Sequence, residues 1–173
     1  MATDSKPTAA EHKQALRETL KEAGTVMMIT RGDNGDLHGR PMGVAHLDDK
    51  DNLYFATSAS STKIDEIQRD PRVDIAFQSK TRYATIAGRA TISRDRALIE
   101  KLWSDSWKIW FPKGKEDPDI ALVIVDAERG EYWDQSGLKG LSFLYRAAKA
   151  LVTGSEFRNS EAEQAKMHGE VKL

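Results

Sequence analysis

The chain contains no cysteine, which excludes a disulfide framework, a thiolate nucleophile and any cysteine-ligated zinc. That absence suits a cytoplasmic protein. No apolar run approaches the roughly 20 residues of a membrane-spanning helix. The opening MATDSKPTAAEHK lacks the apolar stretch of a secretory signal, so no membrane association is expected. A surplus of one charge is missing too: 26 Lys and Arg stand against 27 Asp and Glu, leaving no field to attract nucleic acid. Gly-x-Gly-x-x-Gly does not occur, so any nucleotide is held in some way other than a Rossmann turn. The four histidines, His12, His38, His46 and His168, show no metal-ligand spacing, and no metal site is expected.

What is present reads as one domain over residues 1–173, long enough for a single packed core. Residues 8–23 carry Leu16, Leu20 and Ala23 on one helical face, with Gly24 as the stop. A strand over 25–31 and a return strand over 37–47 flank Asp33-Asn34-Gly35, a strong hairpin signal. A strand at 53–57 leads into a helix starting at Thr62 and stopping at Asp70-Pro71. Strands at 72–79 and 82–93, a helix at 94–103 and a strand at 120–127 follow. Arg129-Gly130 reads as a turn into a strand at 131–135, then a helix at about 138–152 and a polar tail from Gly154, expected to be mobile. Short strands joined mostly by hairpins predict an antiparallel barrel or curled sheet, mainly β, with helices at its periphery.

Three stretches carry candidate chemistry. In FATSASSTK, Thr57, Ser58, Ser60, Ser61 and Thr62 crowd ahead of Lys63. Thr62 and Asp65 match a helix-start box, for which one hydroxyl suffices. The surplus hydroxyls, the lysine and the free amides of a helix N-terminus equally suit a phosphate ester. In HGRPMGVA, Arg40 and Met42 share one strand face, and Pro41 implies an edge or a bulge. Trp103, Trp107 and Trp110 fall on a single helical stripe, a pattern of core or subunit contact more often than of a cofactor wall.

GRPM, FATSASSTK, DPRV, ATIAGRATI and EYW occur in the order found in pyridoxamine 5′-phosphate oxidase-like flavoproteins. WSDSWKIWFPKGKEDPDIALVIVDAERGEYWD and the ending HGEVKL resemble the bacterial general stress protein 26 family in particular. The resemblance implies a split antiparallel β-barrel (the FMN-binding split barrel) that forms a homodimer, with FMN between the subunits. By position it puts Arg40, Pro41 and Met42 along the flavin, with Arg40 toward the ribityl phosphate. Ala56 and Thr57 come beside the ring, Ser61, Thr62 and Lys63 on the phosphate, and Tyr83 and Trp133 near the isoalloxazine.

The segment after Trp133, DQSGLKGLSFLYRAAK, lacks the Arg- and His-bearing substrate grip of the vitamin B6 oxidases, which argues against that activity. The implied function is an FMN-dependent oxidoreductase with an unnamed small-molecule substrate and electron donor and no assignable catalytic residue. The alternative is a flavin-binding or redox-sensing stress protein with little turnover. FAD remains compatible, because its adenylate could extend into solvent. A heme reading would need His38 or His46 as ligand.

Overall fold

The computed structural model describes residues 7–136 and 167–173. The helix expected at 138–152 and most of the polar tail lie outside the described residues. The elements run α1 (Ala9–Lys21), β1 (Thr25–Arg31), β2 (Leu37–Gly43), β3 (His46–Leu47), β4 (Leu53–Ser58) and α2 (Thr62–Arg69). They continue with β5 (Arg72–Gln78), β6 (Arg82–Ser93), α3 (Arg96–Leu102), β7 (Ile120–Asp134) and β8 (His168–Lys172). All strands join one antiparallel sheet in the order β2-β1-β5-β6-β7-β4-β3, with β8 paired to β7. The expected mainly β, antiparallel fold with peripheral helices is therefore present.

The sheet curls because one segment serves both of its edges. After β2 the chain crosses at Val44-Ala45: the Val44 N–H donates to Gly24 O (3.1 Å) and the Ala45 N–H to Tyr54 O (2.8 Å). Consecutive amides thus join the β1 side to the β4 side, and the half-barrel closes over Val26, Met28, Phe55, Ile75, Ile86, Val123 and Val125, all nearly inaccessible. Pro41 lies on the edge strand β2, where its missing N–H leaves no gap between strands. Leu16, Leu20 and Ala23 bury against the sheet as the helical spacing predicted, and so do Ile64 and Ile67 of α2.

Four readings of the sequence need correction. The strand expected over 37–47 is two strands, split at the crossing just described. Arg129-Gly130 makes no turn, and β7 runs unbroken through it. A Cβ at Gly130 would lie 2.3 Å from Leu16 Cδ2 of α1, so glycine there lets the buried Leu16 pack directly on the strand. The irregularity falls two residues earlier, as a bulge. Ala87 pairs with Arg129 and Gly88 with Ala127, leaving Glu128 extra, and a Cβ on Gly88 would sit 2.3 Å from Asp126 O.

Third, the tryptophans share no helical stripe. α3 stops at Leu102, and a 3₁₀ turn over Asp105–Ile109 tightens the spacing. Trp107 is buried edge-on to Trp103 (5.6 Å, 77°), whereas Trp110 is 71% exposed. Fourth, the end of the tail is a strand. β8 lies in register with β7, from Arg129 opposite Lys172 to Trp133 opposite His168. The polarity of HGEVKL hid this, because only Gly169 and Val171 turn inward.

Candidate functional site

β4 delivers its last residues to the start of α2, and Lys63 folds back over that junction. Its ammonium donates to Thr57 Oγ1 (2.7 Å) and Ser61 Oγ (2.6 Å). Ser61 holds the N-cap position of α2, one residue earlier than the sequence box implied, and its side chain makes no cap bond. Thr62 is the exposed first helical residue and does not line the cleft. Ser58 and Ser60 bond to each other (2.8 Å) and shape the turn. The backbone N–H groups of Thr62 and Lys63 have no acceptor among the described residues.

Lys63 also makes no ion pair among the described residues, and partial burial followed by the nearby Arg40 charge lowers its pKa, with Glu66 opposing. An anion at the helix start would relieve that burden.

Glu66, one turn along α2, leaves Lys63 unneutralised because its own oxygens are taken. Oε2 accepts from Thr30 Oγ1 (2.5 Å) and Arg40 Nη2 (2.8 Å), and Oε1 from His38 Nδ1 (2.7 Å). Burial would raise the Glu66 pKa, but the bonds from Thr30, His38 and Arg40 outweigh it and bring it from 4.5 to about 2. Arg40 is thereby held against Thr30 and Glu66, beside the cleft and not among its lining residues. His46 packs on Tyr54, and neither His38 nor His46 lines either of the two cavities described next.

The remaining expected residues divide between two cavities with no lining residue in common. A cleft of about 540 Å³ is lined by Pro41, Met42, Ala56, Thr57, Ser61 and Lys63, with Thr25, Gly43 and Ser58. Trp107, Trp110 and Phe111 also line it, and of these the sequence spacing assigned the two tryptophans to core or contact. Tyr83 and Trp133 form a cross-strand pair in a second cavity of about 410 Å³, with Met27, Phe77 and Gln78. One face of Trp133 is covered by the His168 ring, stacked at 4.8 Å and 7°. The sequence reading missed this stack because β8 was not foreseen. Neither lining contains a carboxylate or an imidazole.

A curled antiparallel half-barrel with peripheral helices is the fold of the FMN-binding split barrels. Residues 11–158 match the family described as pyridoxamine 5′-phosphate oxidase like, and the chain belongs to that family. It is 31% identical over 123 residues to general stress protein 26 of Bacillus subtilis strain 168, a match covering 67% of this chain and 84% of that protein. A solved structure from Jannaschia sp. CCS1 shares the fold with a TM-score of 0.71 at 24% identity, covering 95% of this chain and 99% of that one. The general stress FMN/FAD binding protein of Xanthomonas citri is 29% identical with a TM-score of 0.64, covering 74% of this chain and 92% of that one.

Proposed function

We propose that the chain is a flavin-binding general stress protein of the cytosol, holding FMN by its phosphate at the Thr57–Lys63 junction and acting as an FMN-dependent oxidoreductase on a small molecule. The observation that carries this is Lys63: a part-buried cation oriented by two hydroxyls, beside open helix amides, with no carboxylate partner among the described residues. Pro41, Met42, Gly43 and Ala56 would offer a flat ring an apolar face and strand backbone. When bound, the flavin supplies the electron-transfer chemistry, and the protein orients it and excludes water.

The separation of Tyr83 and Trp133 from Lys63 supports a homodimer in which one flavin lies between the phosphate cleft of one copy and the aromatic cavity of the other. Trp107 lies in this chain's own apolar core, so the spacing of the tryptophans does not by itself argue for a subunit contact. The lack of any carboxylate or imidazole in either lining favours a second reading, a flavin carrier or sensor with little turnover.

Lys63→Ala tests the site. A charge-assisted hydrogen bond contributes roughly 1.5–3 kcal/mol, so FMN should bind about ten- to hundred-fold more weakly. Riboflavin, which has no phosphate, should respond far less. Equal losses for both flavins, or none, would place the phosphate elsewhere. Anaerobic mixing of the flavin-loaded protein with a reduced nicotinamide then separates enzyme from carrier: rapid bleaching supports turnover, and unchanged absorbance supports the second reading.

A further inference from the structure

The aromatic part of the cleft lining has a construction that holding FMN alone does not explain. Trp107 and Phe111 anchor it from below, 8% and 4% exposed, packed with Ile99, Ile120 and Leu122. The N–H groups of Trp110 and Phe111 both donate to Trp107 O at 2.9 Å, so the turn is fixed on both sides of Trp110. The Trp110 indole itself is held out, 71% exposed, yet it lines the same cleft as Ser58, Ser61 and Lys63. Ala56 ties the two walls together, because it belongs to the apolar cluster of Trp107 and also lines the cleft. Exposed indole on a rigid mount beside a phosphate cradle is a stacking platform for a flat ring carried beyond that phosphate.

We propose that Trp110 is a specificity-determining residue of this cleft, stacking on the adenine of a flavin dinucleotide so that the site takes FAD and not FMN alone. This rests on the flavin reading above and adds the adenosine as a further occupant of the same cleft. The first phosphate stays on Lys63, Ser61 and the α2 amides, and the adenosine passes over the 3₁₀ turn instead of trailing into water.

The test is titration of wild type, Trp110→Ala and Trp110→Phe with FMN, FAD and riboflavin, with the mass of each protein measured by light scattering. Trp110→Ala should weaken FAD about ten-fold more than it weakens FMN (about 1.4 kcal/mol). Trp110→Phe should restore most of the FAD affinity. Equal losses for FMN and FAD would make Trp110 a wall of the isoalloxazine site and overturn the proposal. Unchanged FAD affinity would overturn it as well, and so would a change in mass that accounts for the loss, since the indole would then be a contact between copies. If wild type binds neither FMN nor FAD, the flavin reading itself falls. Wild-type binding of both with no selective effect at Trp110 removes only this inference.

Discussion

Acid should loosen this protein through Glu66 before most of its other side chains matter. The carboxylate is 7% exposed, and its pKa falls from 4.5 to about 2 on folding. A carboxylate with a depressed folded pKa contributes stability that is fully present above its unfolded pKa. That contribution is lost as the pH falls through the folded value. The window therefore runs from about pH 5 down to about pH 2. At about 1.4 kcal/mol per pKa unit, the stake is on the order of 3 kcal/mol, a large share of a typical domain's stability. Asp48 and Asp134 also have lowered pKa values, so the bare acid curve mixes several groups. The difference between wild type and Glu66→Gln isolates one. Urea unfolding followed by tryptophan fluorescence should show wild type more stable at pH 7 by about 2–3 kcal/mol, with the gap closing toward pH 2. A gap that stays constant with pH would show that Glu66 is not the titrating group, and the network reasoning would fail.

Two glycines should rank by what surrounds them. Gly88→Ala would push a methyl onto the Asp126 carbonyl at 2.3 Å, where only backbone could yield, and should cost roughly 2 kcal/mol or more in thermal or urea unfolding. Gly169→Ala meets His12 Nδ1 at 2.2 Å and Tyr132 Cε1 at 2.6 Å, side-chain atoms with some freedom to move. It should cost less, about 1–2 kcal/mol, and should chiefly raise hydrogen exchange along β8, because it strains the His12–Tyr132 hydrogen bond beneath that strand.

The parts of the fold that depend on local pattern were legible. Helical spacing found the buried face of α1, Asn34-Gly35 found the first hairpin, and Pro41 marked an edge strand. Long-range geometry was not legible. The bulge at Glu128 is set by the pairing of β6 with β7, so Arg129-Gly130, a turn signal in isolation, was overridden by the sheet and by Leu16 packing on Gly130. The tryptophan spacing was real, but it presumed an α-helix, and a 3₁₀ turn sent Trp107 and Trp110 to opposite fates. At the site, local pattern located the hydroxyl cluster and its lysine but not their hydrogen-bond partners. Lys63 meets Thr57 and Ser61, Thr62 stands aside, and Arg40 is bound to Glu66, whose position in sequence carries no sign of that pairing.

That glutamate explains how α2 can carry a usable cation at all. Lys63 and Glu66 stand three residues apart, a spacing at which opposite charges ordinarily pair and neutralise each other. Here Thr30, His38 and Arg40 occupy both Glu66 oxygens, and the Lys63 ammonium turns to uncharged hydroxyls instead. The arrangement separates two tasks. Glu66 fastens α2 to β1 and β2, which fixes the helix start relative to the cleft floor at Pro41 and Met42. Lys63 keeps its charge uncommitted, at the cost of a depressed pKa. A lysine paired with glutamate would be more comfortable in the empty protein, and an arriving phosphate would first have to displace a carboxylate. By spending Arg40 on the glutamate, the fold keeps Arg40 off the cleft wall and leaves Lys63 as the cation that lines it. The proposed phosphate site therefore depends on the hydrogen bonds that withhold Glu66 as much as on the lysine itself.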